Sequence, residues 1–222
     1  MPVAIICRSA SARRYERGLR ADGVALLRIL GLEHCELSLV MVGDRAIRRL
    51  NREFRAKDQA TDVLSFPQFE DKAELKALAR GGAKNAPPIP IGDIVISIET
   101  ASRQARELEQ SAAARLRTLL IHGLLHLTGY DHERSAAEAR RVFKREHQLA
   151  ELMGVAGSSR EGKAGSLLWS PAAMPERGAK AAGKKSAGDA KPLAAAGSKR
   201  RPRAVALAGK SVDGRRSKVK NR

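Results

Sequence analysis

Cysteine is nearly absent from this chain. Only Cys7 and Cys35 occur among 222 residues, far apart and outside any CxxC pair. That excludes a disulfide framework and points to a reducing compartment. Aromatic residues are scarce as well, at 3% (Trp 1, Tyr 2, Phe 4), while hydrophobic residues make up 43%. A core is therefore expected, but a light and aliphatic one. Long apolar runs are missing too. The first, Val3 to Cys7, is too short for a signal-peptide core, and no stretch approaches the roughly 20 apolar residues of a membrane span. The chain reads as soluble and cytoplasmic, with no membrane partner. The remaining shortage is of acid: 24 Asp and Glu face 42 Lys and Arg, a formal charge of +18.

That charge is unevenly placed. Residues 155–222 hold 17 basic and 4 acidic side chains, so they account for most of the excess, while 1–154 are nearly balanced, with 25 against 20. The length suits one ordinary domain plus an extension. Beyond Gly154 the periodicity fails and Ala, Gly, Ser, Pro and Lys dominate, a composition too poor in apolar residues to offset ordering entropy. The expected division is a folded domain over 1–154 and a disordered basic tail over 155–222. Such a tail either keeps the protein soluble or binds a polyanion non-specifically through counterion release. With one aromatic, Trp169, base stacking cannot be its main mode.

Within the domain, Val3 to Cys7 suits a strand, and Arg14 to Leu30 suits an amphipathic helix through Leu19, Ala21, Val24, Leu27 and Leu30. Residues 36–42 form a second strand. Asp44 can cap a helix reaching Phe54, with Ala46, Ile47, Leu50 and Phe54 on one face. Asp62 to Phe66 is a third strand, and Gly92 to Ser97 a fourth. Between Glu70 and Pro90 the Ala, Gly, Lys and Pro content predicts a loop with at most a helical turn near Glu74 to Leu78. Helices follow over about 98–109 and 112–127, with Ser111 as the cap between them. A last helix opens at Ser135, whose spacing to Glu138 suits a capping box. This order predicts an α+β fold: a small mixed sheet of about four strands packed with helices.

The densest chemical signal is HGLLHLTGYDH, residues 122–132. His122 and His126 are four apart on a predicted helix, so both project from one face with β-carbons about 5–6 Å apart. Gly129 can end the helix in a left-handed conformation and return the chain so that His132 reaches the same point. Three imidazoles at about 2.0–2.1 Å would leave a fourth zinc position open, which is a catalytic arrangement. A single His on an apolar face is usually a packed side chain, but three of the five histidines fall within these 11 residues. His34 and His147 take the ordinary assignment. Such a metal suits hydrolysis of a peptide or of a phosphodiester. The protease motif HExxH needs a glutamate after its first histidine, and that position is Gly123.

A second stretch, LNREFRAKDQATDVLSFP over 50–67, places Arg55 at a helix end before Lys57 and a polar turn. A guanidinium there could hold a phosphate bidentately, although a surface salt bridge is the commoner use of any one arginine. Asp58 and Asp62 suit turn capping as well as a site role.

Taken together, these two stretches and Gly92 to Ser97 resemble the YbeY family of bacterial endoribonucleases, in order and spacing, over roughly residues 36–150. The resemblance implies a zinc-dependent, single-strand-specific endoribonuclease acting in rRNA maturation at the 16S 3′ end and in ribosome quality control. It implies one Zn2+ per chain on His122, His126 and His132 and a functional role for Arg55; Arg55 and His122 are the candidate catalytic residues, and Asp131 suits orienting a ligand imidazole. Ribosomal RNA and the small ribosomal subunit are the implied partners. The competing readings are an RNA- or ribosome-binding assembly factor with a non-catalytic zinc, and a zinc metallopeptidase. The loop over 68–90 is longer and more basic than the family pattern, and the tail after about 155 is an extension to it.

Overall fold

Apolar alternation along the strands decides the layering of this protein, seen in a computed structural model that describes residues 2–69, 72–81, 87–130 and 135–154. Strands β1 (Val3–Cys7), β2 (Cys35–Val42), β3 (Val63–Pro67) and β4 (Ile89–Ser97) form one sheet in the order β1-β2-β4-β3. The first three neighbours run parallel, and β3 pairs antiparallel with β4 as an edge strand. This is the expected mixed four-stranded sheet. The tail over 155–222 lies outside the described residues.

Alternate residues of each strand face opposite sides. Leu37, Leu39, Met41, Ile94 and Ile96 enter the large core cluster with helices α1 (Arg13–Ile29), α4 (Ile98–Glu107), α5 (Ala112–Leu127) and α6 (Ala136–Leu152). Val40, Val42, Val95 and Leu64 instead meet Ile47 and Leu50 of α2 (Asp44–Arg55) on the other face. One face thus carries most of the helices and the other carries α2.

Three expectations are corrected. Lys72–Gly81 is a helix, α3, with Leu75 buried in the main core, where a loop was expected. The run KAELKALARG is built from strong helix formers, and its alanines resemble low complexity only when their spacing is ignored. In α1 the buried stripe runs Leu19, Gly23, Leu26 and Leu27, leaving Ala21 exposed. Asp44 is the first helical residue, not the cap, which is Gly43 without a side-chain bond. The Asp44 carboxylate accepts from Ser97 Oγ at 2.5 Å, Thr100 Oγ1 at 2.6 Å and Arg103 Nη1 at 2.8 Å, tying α2 to the start of α4. Burial opposes its charge, yet the three donors outweigh that and hold its pKa below the ordinary carboxylate value.

Ser111 and Ser135 cap as expected, accepting from Ala114 N and Glu138 N. Gly92 has φ +139, and a β-carbon there would sit 2.3 Å from the Phe66 carbonyl oxygen. Only glycine allows β3 and β4 to pair so closely at this point.

Candidate metal centre

Helix α5 is packed so tightly on the sheet that its register leaves no freedom. A β-carbon on Gly123 would lie 2.9 Å from Ile94 Cγ2 and 3.0 Å from Ile94 Cδ1, so glycine at 123 is what lets the helix seat on β4. With position 123 facing the sheet, His122 and His126 project sideways from the helix. A glutamate base at 123 would point into the core.

The two histidines meet. Their Nε2 atoms are 3.0 Å apart, with ring centroids at 4.5 Å and planes at 71°. On the far side of His122, Nδ1 lies 2.5 Å from Glu146 Oε1 of α6, and the Glu146 side chain is only 8% exposed. A carboxylate there places the imidazole proton on Nδ1, which turns the Nε2 lone pair toward His126. A shared proton accounts for the pair, and so does a cation between two lone pairs. Two nitrogens at about 2.0–2.1 Å from a tetrahedral zinc stand about 3.3 Å apart, slightly more than is seen. A small rotation of either ring accommodates the ion, so the donor set fits zinc.

Behind this pair runs a buried polar network. Arg115 lies on the same stripe of α5 as His122 and His126, seven and eleven positions earlier. Its guanidinium donates to Asp62 Oδ2 at 3.1 Å and Gln104 Oε1 at 3.0 Å, with the side chain only 4% exposed. Gln104 donates to the same Asp62 oxygen. Burial pushes the Arg115 pKa below the usual guanidinium value, against the opposing charges of Asp62 and Glu146. Asp62 also accepts from Val63 N, so it anchors the start of β3. Asp58 accepts a bidentate pair from Arg48 at 3.0 and 2.8 Å, which folds the Lys57–Gln59 turn back onto α2.

Arg55 is the exposed last residue of α2. Its neighbour Phe54 rests edge-on against Phe66 of β3 at 5.0 Å. Helix α2, which carries Arg55, and α5, which carries the histidine pair, pack on opposite faces of the sheet. The turn after α5 forms as expected: Gly129 has φ +82, and the Gly129 and Tyr130 amides donate to the His126 and Leu125 carbonyls. This double closure ends the helix at Gly129. His132 and Asp131 lie outside the described residues. Among the described residues no group of three His, Cys, Asp or Glu is assembled for a metal.

Glu146, Arg115 and Gln104 were not among the site residues expected. Their signal is a polar residue inside an apolar stripe: Glu146 falls between Val142 and Leu149 on the buried face of α6.

Fold and site together define a class: an α+β protein whose mixed sheet seats a glycine-registered helix bearing a carboxylate-braced histidine pair. The description Endoribonuclease YbeY matches residues 20–154. An Endoribonuclease YbeY of Anaeromyxobacter sp. (strain Fw109-5) is 44% identical over 163 residues, covering 73% of this chain and 78% of the relative. Its counterpart in Anaeromyxobacter dehalogenans is 45% identical, covering 74% and 81%. That of Geobacter metallireducens is 43% identical, covering 69% and 96%. A solution structure from Thermotoga maritima aligns with 72% of this chain and 99% of that one, at 21% identity and a TM-score of 0.49. The chain belongs to the YbeY family of endoribonucleases. Among the described residues no helix is long and apolar enough to cross a membrane.

Proposed function

We propose that this protein is a zinc-dependent endoribonuclease, specific for single strands, that acts in rRNA maturation at the 16S 3′ end and in ribosome quality control. The observation that carries the reading is the carboxylate-braced pair on α5, in which His122 Nε2 and His126 Nε2 converge to 3.0 Å. His122, His126 and His132 would hold one zinc, which supplies polarisation of a phosphoryl oxygen and acidification of water when bound.

The chain's own residues do the rest. Glu146 holds the His122 proton on Nδ1 and fixes the ring plane. Arg115, buried beside Asp62, keeps positive charge near Glu146. Arg55 neutralises charge on the scissile phosphate through its guanidinium fork. Ribosomal RNA and the small subunit are the proposed partners, and the protein is proposed to work in the cytoplasm, with the basic 155–222 tail adding non-specific attachment to RNA.

A peptidase is disfavoured by Gly123, whose place against Ile94 leaves no room for the base such an enzyme requires. The test is metal stoichiometry alongside cleavage of a 16S rRNA 3′-end precursor by wild type, His126→Ala and Arg55→Ala. One zinc per chain, with cleavage lost in both variants and zinc lost only in the first, is the expected result. Zinc bound without cleavage by the wild type would replace the nuclease with an assembly factor.

A further inference from the structure

The sequence of α2 is unusual in its charge: DRAIRRLNREFR carries five arginines in twelve residues. Ala46, Ile47, Leu50 and Asn51 face the sheet, which turns Arg45, Arg48, Arg49 and Arg52 outward, all exposed. Asp58 is drawn against Arg48 at 2.8 Å and lies 3.9 Å from Arg52. Glu53 is the other acidic residue on the exposed surface of the helix. Arg45 and Arg49 enter no ion pair among the described residues. Four residues of helix rise about 6 Å, a separation of the same order as that of successive phosphates in an extended strand. Arg55, seven positions after Arg48, continues this basic face to the end of the helix, whereas Phe54 lies half a turn away and rests on Phe66 of β3.

We infer that the outer face of α2 is a track for single-stranded RNA: Arg45 and Arg49 hold successive phosphates and lead the strand to Arg55. Charge complementarity selects a polyanion, and the nuclease reading makes that polyanion RNA. The fold alone does not need these arginines, because none of the four outward residues packs into the core. The inference rests on the nuclease reading and extends it to a surface outside the metal centre.

The experiment is binding of a fluorescent, unstructured RNA 16-mer to the full-length, zinc-loaded protein, titrated with KCl. Arg45→Gln/Arg49→Gln is compared with Arg14→Gln/Arg17→Gln, an equal charge change on exposed α1 positions. Removing both phosphate-holding guanidinium groups lowers the slope of log K against log salt by about 1.4 and weakens binding at 0.1 M salt about 25-fold. Cleavage at saturating RNA is expected to keep its kcat while KM rises. The α1 pair is expected to leave both slope and affinity unchanged. An unchanged slope in the α2 pair, or an equal fall in the α1 pair, overturns the track while leaving the nuclease standing. Binding of polyglutamate in place of RNA, lost in the α2 pair, overturns it in favour of an acidic protein partner. Wild-type protein that neither binds nor cuts RNA overturns the nuclease reading and the track with it.

Discussion

Removing the Glu146 carboxylate tests the site at its least replaceable contact. Glu146 Oε1 lies 2.5 Å from His122 Nδ1, with the Glu146 side chain 8% and the His122 side chain 19% exposed, so water has little room to substitute. In Glu146→Ala the His122 ring is free to turn, and its proton can move to Nε2, the atom that faces His126. Loss of a carboxylate that orients a ligand histidine weakens metal affinity about 10- to 100-fold, or about 1.4–2.8 kcal/mol, and burial places this case toward the upper end. Glu146→Gln, which keeps an oxygen acceptor but no charge, is expected near the lower end. The fold survives both changes, because Arg115 keeps its bond to Asp62 at 3.1 Å. The cost in stability is about 1–3 kcal/mol. Zinc affinity measured by competition with a chromophoric chelator, beside urea unfolding of the same preparations, separates the two effects. A folded Glu146→Ala variant that binds zinc within twofold of wild type would refute the reasoning.

Gly123→Ala places a methyl 2.9 Å from Ile94 Cγ2, and the overpacking is expected to cost about 1–3 kcal/mol by urea unfolding; an unchanged midpoint would show that α5 is loosely seated. Asp44 has its pKa held below the ordinary value of 3.8, so the stability it contributes is present above that value and is lost as pH falls through the lower folded value. Asp44→Asn should therefore be about 1–3 kcal/mol less stable than wild type at pH 6, and the gap should close below about pH 3.8; a gap constant with pH would contradict the assignment. Deleting residues 156–222 is expected to reduce the salt slope of RNA binding by about 0.7 for each phosphate the tail neutralises while metal content stays the same; an unaltered slope would assign the tail to solubility alone.

Most elements could be read from local patterns because local physics sets them. Ser111 and Ser135 cap their helices through side-chain bonds that depend only on nearby backbone, and Gly129 adopts the left-handed conformation its place after α5 demanded. The failures share a different cause. Helix α3 was hidden because its alanines count toward both low complexity and helix propensity, and only the burial of Leu75 under the main core decides between them. Asp44 suits a cap by position, but Ser97, Thr100 and Arg103 arrive from 53 to 59 residues away and claim its carboxylate.

The candidate site divides in the same way. The spacing of His122 and His126 follows from helical geometry, so the amino-acid order alone determined that the two imidazoles share a face. Their convergence to 3.0 Å, the carboxylate of Glu146 behind His122, and the buried Arg115 between Asp62 and Glu146 depend on which helix packs beside α5. Glu146 is 24 positions from His122, and no local rule links them. Only burial of the apolar stripes of α5 and α6 against each other brings the carboxylate to the imidazole, and only a buried position makes their bond hard for water to replace.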